Sequence, residues 1–134
     1  TFWNWACFSG NTVTNQKAKE SPSIGLNVSV GVNETGYSEN CFWINDVIHP
    51  LPQVQFKFDR DNEHSAWRIR SENLQIDLSF IPEGMHKENI NVLLLATNFK
   101  QIFGRFNGYL TTADGKRYEI ENYYGFVEDH YSKW

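Results

Sequence analysis

The chain has 134 residues, 40% of them apolar, 16% aromatic and 21% charged, with a formal net charge of −4. That length and balance suit one folded domain with a sizeable core, and they exclude a disordered chain. The longest apolar run, Val92 to Ala96, is far short of the ~18 residues a spanning helix needs, and Lys and Arg are scattered singly, without the basic patch of a nucleic-acid binder.

No basic region followed by an apolar stretch reads as a signal peptide, so a cytoplasmic location is expected. Cys7 and Cys41 are too few for a disulfide scaffold and contain no C-x-x-C, so they read as buried free thiols in a reducing compartment. The sequons at Asn27 and Asn33 matter only in a secreted eukaryotic protein, which this chain is not expected to be.

The first element is "FWNWACFSG". Period-two alternation puts Trp3, Trp5 and Cys7 on one face and Phe2, Asn4, Ala6 and Phe8 on the other. Trp3 and Trp5 then stand roughly 6.6 Å apart along a strand. Both faces are apolar, which an isolated barrel wall does not require: either something covers the outer face, or one face lines a ligand cavity, or the rings are simply core.

"NQKAKE" allows a short helical turn. "IGLNVSVGV" is the clearest strand, with Ile24, Leu26, Val28, Val30 and Val32 on one face and Asn27 and Ser29 on the other. In "YSENCFWIND", Glu39 either points into a barrel mouth or caps a turn, and Trp43 follows on a short aromatic strand. "VQFKF" alternates Val54, Phe56 and Phe58.

"AWRIRS" and "LQIDLSF" read as a hairpin around a two-residue Glu72-Asn73 turn. Ile69 then faces Ile76, Trp67 faces Leu78, Arg68 pairs with Asp77, and Leu74 joins the apolar face. "PEGMHKEN" allows a second short helical turn. In "IFGRFNGYLTT", Gly104 and Gly108 flank Phe106 on one face and mark a strand that bends around a barrel, with Arg105 on the opposite face.

For "TADGKR" a three-residue Ala113-Asp114-Gly115 loop is expected. It sets Leu110 against Tyr118 and Gly108 against Ile120, whereas a two-residue loop would set Leu110 against Glu119. The last strand, "GFVEDHYSKW", places Glu128 and His130 on one face and Asp129 on the other. Glu128 and His130 read as an acid/base pair, as two metal ligands, or as a solvated rim.

The pattern predicts an all-β fold of about nine or ten strands in an antiparallel meander, closing as a lipocalin- or calycin-like β-barrel, with a two-sheet β-sandwich as the alternative. No G-x-S-x-G, phosphate loop, H-x-H, H-E-x-x-H or dinucleotide fingerprint occurs, and no cofactor or metal is expected.

The ordered set "FWNWA", "GLN", "SEN", "AWRI-S", "DL-F", "QIFGRFNG", "DGK" and "G-VEDHYSKW" resembles the C-terminal part of bacterial proteins classed as domain of unknown function 2804, over residues 2 to 134. Those proteins carry a further segment ahead of the tryptophan motif. The resemblance therefore implies that residues 1–134 are one barrel domain, the C-terminal portion of a longer protein, with its own N-terminal half as partner.

Trp3, Trp5, Gly125, Glu128 and His130 also resemble the early Trp-rich strand and closing strand of lipocalin-like carotenoid hydratase and tocopherol cyclase type proteins. That second likeness implies an apolar substrate and acid chemistry.

The first functional expectation is a barrel that binds a small apolar or amphipathic ligand, with Trp3, Trp5, Trp43, Trp67 and Phe106 as lining candidates. The alternatives are an acid-catalysed hydratase, isomerase or cyclase and a carbohydrate-binding module. In the enzyme, Glu128 or Glu39 would donate the proton, and His130 or Asp129 would orient the substrate or act as base. In the carbohydrate-binding module, the tryptophans would stack on sugar rings.

Overall fold

The computed structural model describes residues 1–11, 22–31, 38–92 and 95–133. The expected helical turn in "NQKAKE", the inward Val32 and the Asn33 sequon lie outside them. Nine strands are present among the described residues: β1 (Phe2–Asn11), β2 (Ser23–Val30), β3 (Cys41–Ile44), β4 (Val47–Pro50), β5 (Val54–Lys57), β6 (Trp67–Ser71), β7 (Ile76–Val92), β8 (Leu95–Thr111) and β9 (Arg117–Lys133).

All neighbouring pairs are antiparallel, and the strands make one sheet in the order β4-β3-β2-β1-β9-β8-β7-β6-β5. The fold is thus an all-β, barrel-like meander in a single sheet. Every step between neighbours in the sheet is also a step between neighbours in sequence, except that the first strand pairs with the last. The meander's two free edges are β4 and β5, consecutive strands joined by Leu51, Pro52 and Gln53 alone.

That short link dictates the shape. In a flat sheet the two edges would lie about 38 Å apart at ~4.8 Å per strand. The chain from Pro50 to Val54 reaches at most about 14 Å. The sheet must therefore curl until the linked ends of its two edges lie within that reach. The link is fastened on both sides, with Leu51 N donating to Asn40 O at 2.8 Å and Glu72 N donating to Gln53 O at 3.1 Å. β3 pairs only with residues Ile24 to Asn27 of β2, so the far end of β2 looks across the seam at β5.

The alternation of the sequence appears as burial. Ala6, Phe8, Leu26, Val28, Ile69, Leu78, Ile102 and Val127 point inward and are at most 2% exposed. Phe106 sits at the centre, with its ring centroid 5.0 Å from that of Phe8 and 4.8 Å from that of Phe80. These rings, with Phe42, fill the interior between the strands. Gly104 makes the tight coil possible, because a Cβ there would lie 2.0 Å from the Ile81 carbonyl oxygen.

The β8–β9 hairpin has the expected register, with Leu110 against Tyr118 and Gly108 against Ile120. Gly115 takes the left-handed conformation at φ +89° and its N–H donates to Thr112 O at 2.9 Å.

The β6–β7 hairpin differs from expectation. Trp67 pairs with Phe80 and Ile69 with Leu78, a shift of two residues. The loop is Glu72 to Gln75, and Leu74 is 54% exposed at φ +58° rather than packed inside. A two-residue shift leaves the paired side chains of both strands on their expected faces, so the hydrophobic pattern does not resist it. The Arg68–Asp77 pair still forms, diagonally, and Arg70 joins it.

"PEGMHKEN" is not a helical turn either. It continues β7, with Glu83 as the extra residue of a bulge between Pro82 and Gly84, because β8 supplies a full ladder of partners beside it. Among the described residues no helix is long and apolar enough to cross a membrane.

Candidate functional site

Two groups of side chains stand out, one on each face of β9. The first faces away from the core. Across β1, β9 and β8 the register builds three rows: Trp3, His130 and Phe99; Trp5, Glu128 and Gln101; Cys7, Phe126 and Phe103. The Trp3 and His130 rings are stacked at 3.6 Å between centroids and 9° between planes. Trp5 meets Phe126 edge-on at 5.3 Å and donates its Nε1–H to Asn27 Oδ1 at 2.7 Å.

Within these rows Glu128 is 7% exposed and His130 8% exposed. Gln101 Nε2 donates to Glu128 Oε1 at 2.9 Å, which supplies the partner a buried carboxylate needs. His130 Nε2 is 2.5 Å from Ser132 Oγ, while its Nδ1 is buried with no hydrogen-bond partner among the described residues. Burial pushes the His130 pKa below the usual histidine value, against the opposing pull of the Asp129 charge. The arrangement sets a neutral imidazole one row from a hydrogen-bonded carboxylate, between aromatic walls. Cys7 and Cys41 lie on the same face, both free and half-buried rather than fully buried, and burial raises both thiol pKa values.

The second group faces the seam. Asn4 and Asp129 are cross-strand partners on the inward face, and Asn4 Nδ2 donates to Asp129 Oδ1 at 3.0 Å. Asn4 is 4% exposed, a polar residue on an otherwise apolar face. The segment after β5 reaches the same place: Arg60 Nε lies 3.6 Å from Asp129 Oδ2, and the guanidinium sits 5.0 Å above the Phe58 ring. Phe58 stacks in turn on Trp67, with centroids 3.7 Å apart and planes at 2°.

Further along that segment Glu63 bridges Lys87 and Lys100, tying it to β7 and β8. Their hydrogen bonds, that of Lys87 first, lower the Glu63 pKa to about 2.

Between β1, the end of β2 and β5 lies an open cleft of about 550 Å³. Phe2, Val30, Val54, Phe56 and Phe58 supply its apolar wall, Asn4 and Gln55 its neutral polar groups, and Lys57 and Arg60 its cations.

Of the residues singled out in the sequence, Trp3, Trp5, Glu128 and His130 come together as direct cross-strand neighbours. Trp43 is on the same face two strands away, with its indole where a Cβ on Gly25 would be. Trp67 and Phe106 lie in the packed core, 2% and 0% exposed. Glu39 is exposed ahead of β3 and takes no part in either group. Its neighbour Asn40 is the buried one, accepting from Ser29 N at 2.7 Å.

Asn4, Arg60 and Gln101 were not singled out. The one signal for them was Asn4, a polar residue amid Phe2, Ala6 and Phe8. Among the described residues no three His, Cys, Asp or Glu side chains gather as a metal site.

Compared with known proteins, the chain matches over residues 1–134 the family model described as "Domain of unknown function (DUF2804)". No curated protein and no solved structure matches it.

Proposed function

The chain belongs to the DUF2804 family, and we propose that it binds a small apolar or amphipathic ligand in the cleft at the open seam of its sheet. One observation carries this reading: the interior is filled by its own rings, yet beside the seam the same apolar face is left concave, with room of about 550 Å³. That volume falls within the ~300–1,000 Å³ of small-molecule sites, which are mostly apolar with a few placed polar groups.

Titration with a neutral apolar fluorophore, N-phenyl-1-naphthylamine, tests it. Saturable binding is expected, abolished by Val30→Trp, which fills the cleft from a residue that is 36% exposed and so leaves the core alone. Absence of saturable binding, or binding indifferent to Val30→Trp, would sink the reading.

A second reading rests on the adjacency of Glu128 and His130 to Trp3 and Trp5. Here the outward face performs acid-catalysed addition to, or isomerisation of, an apolar substrate, with Glu128 delivering the proton and His130 orienting the substrate. Deuterium incorporation from D2O into an alkene substrate would then vanish in Glu128→Gln. Sugar stacking has less support, because the imidazole of His130 already takes one face of Trp3.

A further inference from the structure

We infer that the ligand of the seam cleft carries an anionic head group, a carboxylate at the end of an apolar chain, and that Arg60 is the residue that receives it. The inference rests on the proposed reading of the cleft and adds the chemistry of its ligand.

The charges of the lining are of one sign. Lys57 and Arg60 contribute to it and no carboxylate does, although the chain as a whole has a net charge of −4. The other Lys–carboxylate and Arg–carboxylate pairs among the described residues are closer than that of Arg60. Glu63 takes both Lys87 and Lys100, and Asp77 takes both Arg68 and Arg70. Arg60 is different: its ion pair with Asp129 is a 3.6 Å approach through Nε, beyond hydrogen-bond length, and its side chain is 63% exposed. The terminal nitrogens of its guanidinium make no hydrogen bond to a described residue, so the fork that suits a carboxylate is open.

The position of that fork is set by packing. The guanidinium lies over Phe58, which is stacked on Trp67, so the cation stands where the apolar wall ends. Asp129 does not depend on Arg60, because Asn4 Nδ2 already donates to it at 3.0 Å. A ligand carboxylate can therefore engage Arg60 without leaving Asp129 unpaired. An alkyl chain would lie along Phe56, Val54 and Val30, with Lys57 adding a second positive charge near the head. An alcohol head would gain a single hydrogen bond from the guanidinium and bring no opposite charge, and a quaternary ammonium head would be repelled.

Competition against N-phenyl-1-naphthylamine on the whole chain, below micellar concentrations, tests this with dodecanoate, dodecanol and dodecyltrimethylammonium. Dodecanoate is expected to bind about tenfold more tightly than dodecanol, the scale of a charge-assisted hydrogen bond, and dodecyltrimethylammonium more weakly than either. Arg60→Gln should bring the affinity for dodecanoate down to that for dodecanol, each read against the neutral probe's own affinity for the variant. Arg60→Lys should keep part of the preference.

Equal affinities of acid and alcohol, or a preference that survives Arg60→Gln, would overturn the inference while the cleft stands. Failure of the neutral probe to bind would overturn the cleft reading and the inference with it.

Discussion

Trp3 and His130 face each other across β1 and β9 with their rings nearly parallel and 3.6 Å apart. Burial lowers the His130 pKa, so the folded protein holds the neutral ring more firmly than the unfolded chain does. The stability this confers is present above the ordinary histidine pKa of about 6.5 and is lost as pH falls through it toward the lower folded value. The urea midpoint should therefore drop between pH 7.5 and pH 5.5. The drop should shrink in His130→Phe, which keeps a ring against Trp3. An equal drop in that variant would show that His130 is not its source.

Asp77 answers at a different pH. It accepts from Arg68 at 3.0 and 2.9 Å and from Arg70 at 3.1 and 3.0 Å. The Arg68 hydrogen bond chiefly, with help from Arg70 and against desolvation, brings its pKa down to about 2. A depressed carboxylate pKa stabilises above the ordinary value and ceases to do so as pH falls through the folded one. Asp77→Asn should cost at most about 1 kcal/mol at pH 7, since both arginines are well exposed. Below about pH 2, where Asp77 is protonated in the folded protein as well, the variant and the parent should become equally stable. Glu63 loses its bridge in the same range in both proteins, so it cancels from the comparison.

Leu74 stands in the left-handed region at φ +58° with its side chain 54% exposed. A branched aliphatic residue gains little there and bears a strain of roughly 1 kcal/mol. Leu74→Asn should raise the melting temperature without altering the amide spectrum of β6 and β7. A lower melting temperature would mean that the leucine side chain contributes packing after all.

Gly104→Ala should be far worse than Gly115→Ala. The first places a methyl group 2.0 Å from a backbone oxygen of β7 and 2.9 Å from the Phe80 ring, so that backbone must shift to admit it. A loss of about 3 kcal/mol or more is expected. The second meets nothing within 4 Å and costs only the unfavourable φ of +89°, about 1 kcal/mol. Denaturant unfolding of the two variants decides between them, and equal losses would refute the close approach at Gly104.

The contrast between the two hairpins explains how much of the fold was legible. At Ala113 to Gly115 the rival loops differed by one residue, which would have turned Leu110 toward Glu119, so hydrophobic pairing chose between them. At Glu72 to Gln75 the rival registers differed by two, which changes partners and not faces, and the pattern was silent. The helical turn expected for "PEGMHKEN" fails for a related reason: its Pro82 and Gly84 weaken a strand locally, and only the ladder supplied by β8 makes it one.

The outward group was half legible in the same sense. Parity within β1 set Trp3 with Trp5, and parity within β9 set Glu128 with His130. Arg60 gave no signal, because it lies in the segment following β5 where no period applies.

Alternation along each strand, with loop chemistry such as that of Gly115, determined from sequence alone that the chain is an antiparallel β-protein and which side chains turn inward, since both depend on contacts between near neighbours. That β1 docks on β9, that β4 and β5 remain free edges, and that Asn4, Asp129 and Arg60 meet at the seam were decided by the tertiary structure. Those contacts join residues up to the full length of the chain apart, and a period of two carries no information about which strand lies next to which.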